Sequence, residues 1–202
     1  MTKYVNRFVI SDTHFGHANS WAKFKNPDGT PLRPFTSNEE MDNTMVERWN
    51  EVVKPHDTVY HLGDVVIARK NLKTLERLNG RKILIMGNHD PFKNKDYYAA
   101  GFEALRGVNV TMSGGKARWV MTHIPIHPDS IARFRVNVHG HLHGNRVMLN
   151  DKIDPRYMSV CVEQQDYRPV HFDELEKKIT AQFEKYKYAP NEDPWGNNSG
   201  PD

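Results

Sequence analysis

The chain has 202 residues, 38% of them hydrophobic and 26% charged, with a formal net charge of +3, which suits one soluble globular domain with a sizeable core. No apolar run approaches the roughly 20 residues a bilayer crossing needs, so neither a membrane span nor a membrane partner is expected. The charge is too mild to mark a nucleic-acid binder, and the single cysteine, Cys161, cannot close an internal disulfide, which makes a reducing cytoplasm the expected compartment.

Phe8 to Asp12 reads as a short strand, apolar on both faces, and no secretory signal is expected ahead of it. A long polar stretch from about Phe15 to Ser37 follows, with a turn at Asn26-Pro27-Asp28-Gly29. Its 19–36 portion fits either a substrate lid or a local insertion. Ser37 to Val53 predicts a helix, with Ser37 and Glu40 as a capping box and Met41, Met45, Trp49 and Val52 on one stripe. Thr58 to Leu62 predicts a strand, Lys70 to Asn79 a helix closed by Gly80, and Lys82 to Met86 another buried strand. A helix around 95–100 precedes two β-rich runs, 108–112 and 116–122, which flank Ser113-Gly114-Gly115 as a hairpin. Val136 to Val138 leads into a histidine-rich segment, and a strand-like pair at 157–162 and 169–172 precedes a final helix from about 173 to 188. The domain is expected to span 1–188, and the Pro-, Gly- and Asn-rich 189–202 to form a mobile tail. Strands that alternate with helices early and gather late point to an α/β domain with a mixed sheet or a pair of packed sheets.

Polar motifs end several of these strands: Asp12-x-His14, Gly63-Asp64, Gly87-Asn88-His89-Asp90, Thr122-His123 and Gly140-His141-x-His143. Each alone is weak, but ordered along the chain and placed at strand ends they specify one rim. Carboxylate, imidazole and amide oxygen suit divalent metals of borderline character. One aspartate can bridge two such ions, and an ion pair roughly 3.5–4 Å apart can grip a phosphate and activate a water.

The motif series from Phe8 to His143 resembles the calcineurin-like metallophosphoesterase superfamily, and the words around Asp12 and His141 resemble its small bacterial and phage members. The resemblance implies an α/β (α+β-like) fold of two packed mixed β-sheets flanked by helices. It implies two divalent metal ions, manganese foremost, with iron, nickel, zinc or magnesium as alternatives. One ion would be held by Asp12, His14, Asp64 and His143, the other by Asp64, Asn88, His123 and His141. His89 would be the catalytic residue, contacting the phosphate and protonating the leaving oxygen after in-line attack by a metal-bound hydroxide.

The family's protein phosphatases continue the second motif as G-D-x-V-D-R-G, whereas this chain has Ile67 and Ala68 where the acidic partner and the phosphate-gripping arginine would stand. A monoester gains more from an arginine clamp than a diester does. The expected substrate is therefore a small nucleotide-like phosphodiester, cyclic ones included. A phosphomonoesterase, a nuclease and a non-catalytic scaffold are the alternatives, and the retained His89 speaks against the last. Arg33, Arg69, Arg133, Arg135 and Arg146 remain candidates for a clamp assembled in three dimensions. His17 and Arg33 are the expected substrate contacts. His61 and His139 are expected to pack behind the ligands, His56, His127 and His171 to lie on the surface, and Cys161 to fill the core. Oligomeric state is not read from the sequence.

Overall fold

The structure, a computed structural model, describes residues 5–114, 117–131 and 134–186; the expected tail at 189–202 lies outside them. In chain order come β1 (Arg7–Ile10), α1 (Asn19–Ala22), α2 (Asn38–Val52), β2 (Thr58–His61), β3 (Arg81–Ile85), α3 (Asn94–Ala99), β4 (Phe102–Arg106) and β5 (Asn109–Gly114). They are followed by β6 (Ala117–Thr122), β7 (Val136–His139), β8 (Met148–Leu149), β9 (Lys152–Ile153), β10 (Tyr157–Ser159), β11 (Val170–His171) and α4 (Phe172–Lys185).

One sheet has the order β11-β1-β2-β3-β4, a second β10-β7-β6-β5, and β8 and β9 form a small ribbon. β1 to β4 run parallel with β11 antiparallel at the edge, and β10, β7 and β6 run parallel with β5 antiparallel. The arrangement is the expected pair of mixed sheets with flanking helices.

Period-two alternation explains the layering. Phe8 and Ile10 point to a helix-side cluster with Met41, Met45, Trp49, Leu72, Leu75 and Tyr97. Val9 between them points the other way, and with Leu62 and Ile85 it meets Trp119, Met121, Val136, Val138 and Met158 of the second sheet. Strands buried on both faces are what made these runs continuously apolar. α4 joins the inter-sheet cluster through Phe172, Leu175 and Ile179.

Several expectations change. The predicted helix at 70–79 is a 3-10 segment, Arg69–Arg77. The tighter three-residue turn aligns buried Leu72 and Leu75 on one side, and Asn71 is tied down by donating to Phe15 O at 3.1 Å. β4 had no assigned strand; its burial alternates weakly. The strand-like runs at 157–162 and 169–172 do not pair: β10 adds to the second sheet and β11 to the first. At α2, Ser37 Oγ accepts from Glu40 N at 3.0 Å, but the Glu40 carboxylate turns to Thr36 N and Oγ1 at 2.8 and 2.6 Å and leaves the capping box half formed.

His61, at the end of β2, is buried at 1% exposure. Its Nε2 lies 3.0 Å from Thr13 Oγ1, and that hydroxyl donates to Val65 O at 3.0 Å, so Nε2–H is the donor. Burial pushes the His61 pKa down to about 3. An unfolded histidine takes up its proton near pH 6.5, whereas the folded one does so only near 3. Between those values the unfolded chain holds the extra proton, so stability rises with pH across the window and is fully present above 6.5. Unfolding free energies from urea titrations between pH 7 and 5 are expected to fall in the wild type, by up to about 1.4 kcal/mol per pH unit from this group. In His61→Phe they should fall less steeply; equal slopes would refute the assignment.

Candidate metal centre

All the polar motifs stand just past the carboxyl ends of parallel strands: Asp12 and His14 after β1, Asp64 after β2, Asn88 and His89 after β3, His123 after β6, His141 and His143 after β7. Asp12, His14, Asp64, His141 and His143 all have left-handed backbones, with φ of 59°, 45°, 58°, 70° and 50°. Such conformations cost non-glycine residues about 1–3 kcal/mol each and persist only where the surroundings hold them. Here a cross-strand lattice does so: Asp12 N donates to Gly63 O and His14 N to Asp64 O, both at 3.0 Å.

The motif glycines are required by close approach. A Cβ on Gly87 would lie 2.2 Å from Asp64 Oδ1, and one on Gly140 would lie 2.0 Å from Ser11 Oγ. Asp90 fastens two of the loops together, accepting from Asp64 N at 2.8 Å, Val65 N at 3.0 Å and Gly87 N at 2.8 Å.

Donor atoms of Asp12, His14 and His143 gather in one group, and those of Asp12, Asp64 and His123 in another, each within 4.8 Å. His14 Nε2 is 3.5 Å from Asp64 Oδ2 and 3.8 Å from Asp12 Oδ1. His143 Nε2 is 4.0 Å from the same Asp12 oxygen. Asp12 Oδ2 accepts from His141 N at 2.8 Å and Cys161 Sγ at 3.2 Å, but Oδ1 is buried with no hydrogen-bond partner.

His123 Nδ1 lies 2.7 Å from Leu62 O, so it carries the proton and donates. Its Nε2 then faces Asn88 Oδ1 at 2.8 Å and Asp64 Oδ1 at 3.4 Å. Three acceptors turned toward one another require a cation or a proton between them. The titration shifts express the same demand. Burial alone would lower His123, yet the hydrogen bond to Asp64 and the charges of Asp12 and Asp64 raise it. Burial would raise Asp64, but the hydrogen bond and charge of His123 hold it at about 2. Burial leaves the Asp12 carboxyl raised and His14 well below the usual histidine range. The residues therefore fit a divalent centre: carboxylate and amide oxygens, imidazole nitrogens, and a buried oxygen that nothing else satisfies.

Behind the centre lies a carboxylate that sequence reasoning missed. Glu163 Oε1 accepts from His143 Nδ1 at 3.0 Å and from Arg33 Nε at 2.8 Å. Arg33 donates further to Asp12 O at 2.6 Å and Thr13 O at 2.8 Å and is 0% exposed. The expectation that Arg33 contacts substrate is thereby corrected: its guanidinium is spent beneath the ligand loop, where it neutralises Glu163. Burial would raise Glu163, but Arg33 and His143 hold it down at about 2. No motif announces Glu163, which stands 20 residues past His143.

His89 and Asn88 are exposed. The His89 backbone donates to Asp64 Oδ1 at 2.8 Å, and its ring lies 5.9 Å from that of His14. His17 is half-buried on the open side, its ring 5.6 Å from His14 and 5.7 Å from Phe24. His139 is buried in β7, as expected of a packing residue. Arg69 pairs with Asp96 and Arg135 with Glu176 at 2.5 Å. Arg133 lies outside the described residues, and Arg146 is exposed just past the His143 loop.

Residues 6–158 match the profile of the calcineurin-like phosphoesterase superfamily domain. An uncharacterised protein of Methanocaldococcus jannaschii is 34% identical over 182 residues, covering 85% of this chain and 90% of the relative. The gene 66 protein of Mycobacterium phage L5 is 26% identical over 188 residues, covering 78% and 86%. Among solved structures, a protein of unknown function from Aquifex aeolicus superposes with a TM-score of 0.63 at 27% identity, covering 87% of this chain and all of that one. Among the described residues no helix is long and apolar enough to cross a membrane. The profile match spans the sheets and the rim where the donor atoms converge, and on that ground the chain belongs to the calcineurin-like phosphoesterase superfamily and is a metal-dependent phosphoester hydrolase.

Proposed function

We propose that the protein is a phosphodiesterase acting on small nucleotide-like diesters in the cytoplasm, with one divalent ion held by Asp12, His14, Asp64 and His143 and a second by Asp64, Asn88, His123 and His141. Asp64 would serve both, its Oδ2 lying 3.5 Å from His14 Nε2 and its Oδ1 3.4 Å from His123 Nε2. The observation that carries the reading is the set of inward-facing acceptors, with Asp12 Oδ1 unsatisfied and His123 Nε2 opposed to two oxygens. Manganese is the ion we favour on the family resemblance, the mixture of nitrogen and oxygen donors suiting iron, nickel and zinc as well.

When bound, such ions neutralise phosphoryl charge and supply a nucleophile by acidifying a coordinated water. The chain's own residues do the rest. Glu163 and Leu62 O fix the tautomers of His143 and His123, so that Nε2 of each faces the centre. The backbone bond from His89 to Asp64 fixes the main chain at the rim, and the exposed ring would contact the phosphate from there and protonate the leaving oxygen. Diester preference is supported by Ile67 and Ala68 at the phosphatase clamp positions and by the engagement of Arg33, Arg69 and Arg135 elsewhere.

The test is hydrolysis by metal-stripped protein with Mn, Ni, Zn or Mg returned, comparing an aryl diester with the matching monoester. Metal-dependent cleavage faster on the diester is expected. Faster monoester cleavage would move the protein to the phosphatases, with Arg146 the next residue to examine as a clamp.

A further inference from the structure

Beside the centre a cleft of about 440 Å³ runs outward, walled on one side by His141, Leu142, His143 and Asn145 and on the other by Lys23, Phe24, Lys25 and Leu32. That volume falls within the range of roughly 300–1,000 Å³ typical of small-molecule sites. The loop wall is built, not incidental. Leu32 N donates to Phe24 O at 2.8 Å and Asn26 N to Thr30 O at 2.9 Å, and the Asn26 amide spans Thr30 Oγ1 and Pro31 O at 3.1 and 3.2 Å. A Cβ on Gly144 would come within 2.7 Å of Asn26 Oδ1, so glycine there lets the two walls approach.

The chemistry of the cleft is two-part. Phe24 is 45% exposed, and its ring continues the row His14, His17, Phe24 that leads away from the centre at spacings of 5.6 and 5.7 Å. An exposed ring in such a place offers a stacking platform for a base. Lys23 and Lys25, the neighbours of Phe24 in sequence, are exposed, and no ion pair with a carboxylate is found for either among the described residues. Both line the cleft beside the centre, where their ammonium groups favour an anionic group of a bound ligand over a neutral one. A cyclic mononucleotide has only the one phosphate held at the metals.

We infer that the substrate is a linear nucleotide chain carrying a second phosphate next to the scissile one, with a base on Phe24 and the second phosphate on Lys23 and Lys25. The inference rests on the phosphodiesterase reading and narrows it. In the reaction the oxygen of water bonds to phosphorus, the bond from phosphorus to the leaving nucleoside oxygen breaks, and that oxygen takes up a proton. A phosphomonoester and a free hydroxyl result.

The experiment compares a dinucleotide with and without a 5′-phosphate, each against the same enzyme preparation, so that the ratio of KM values cancels partial misfolding. In the wild type at low salt the extra phosphate is expected to lower KM about fivefold to tenfold, the advantage shrinking as salt rises. Lys23→Ala with Lys25→Ala should bring the ratio to about one, and Lys23→Arg with Lys25→Arg should keep it. Phe24→Ala should raise KM for both dinucleotides about tenfold, and Phe24→Trp should not. The inference is overturned if the 5′-phosphate leaves the wild-type KM unchanged, if the alanine variant keeps the advantage, or if a cyclic mononucleotide has the lower KM. Failure of the phosphodiesterase reading shows separately, as absence of aryl diester hydrolysis. In that event calorimetric binding of the two dinucleotides still tests the anion subsite: equal affinities overturn it, and tighter binding of the phosphorylated one supports it only if the double alanine variant loses that advantage.

Discussion

His89→Ala is expected to lower turnover of a nucleoside diester by about 10²–10⁴-fold, the usual contribution of a positioned general acid, while leaving bound metal unchanged. The geometry separates the two readouts. The contact of His89 with the ligand set is made by its backbone N–H, which donates to Asp64 Oδ1 at 2.8 Å, and a side-chain substitution leaves that bond in place. The ring is exposed and carries little of the fold. A general acid matters most when the leaving oxygen is basic. The defect should therefore be largest for a nucleoside or alkyl leaving group and much smaller for a nitrophenyl ester, whose phenolate departs without a proton. Steady-state kinetics on the two substrate types, with elemental analysis of the same samples, checks this. An equal defect on both would assign His89 to phosphate binding in place of proton transfer. Loss of metal would show that the ring supports the ligand loop.

How far the sequence could be read depended on whether a feature was local. The strand β1, buried on both faces, and the stripe of Met41, Met45 and Trp49 were visible because the period of burial is written directly in the residues. The motifs at the strand ends were visible because a parallel strand delivers its next few residues to the same rim. Asp12, His14, Asp64, His123 and His143 do converge there. What stayed hidden depends on contacts across long separations or on backbone detail. β10 and β11 lie in runs that both read as strands, yet each joins a different sheet. The 3-10 segment Arg69–Arg77 has a helical pattern, and its tighter turn goes with a contact distant in sequence, Asn71 to the loop at Phe15. Arg33 looked like a free cation in a polar loop because its partner, Glu163, is 130 residues away.

That pair sets the second large effect. Glu163→Ala is expected to destabilise the protein by about 3–5 kcal/mol, the cost of leaving one half of a buried ion pair unpaired, and to weaken metal binding about 10–100-fold. The Glu163 carboxylate takes the His143 Nδ1 proton and two donors of Arg33, with Arg33 Nη2 at 2.7 Å. Without it, Arg33 is an uncompensated charge beneath the Asp12 carbonyl and the His143 ring loses its orientation. Because Glu163 is held near 2 in the folded state, its contribution to stability is fully present above the unfolded glutamate range near pH 4.3 and is lost as pH falls toward 2. The gap between wild type and variant in urea midpoints should narrow over the same interval. Glu163→Gln keeps an oxygen for His143 and should retain more metal affinity than stability. The double change Glu163→Leu with Arg33→Met removes both charges at similar volume and should recover much of the lost stability. It cannot restore metal affinity, because His143 still lacks its acceptor. Calorimetric metal titration beside denaturant unfolding on the three variants distinguishes positioning from simple structural support. If the double variant recovered metal affinity along with stability, Glu163 would be only the counter-ion of Arg33, and the orientation of His143 would have to come from Gln164, whose amide donates to His143 O at 2.5 Å.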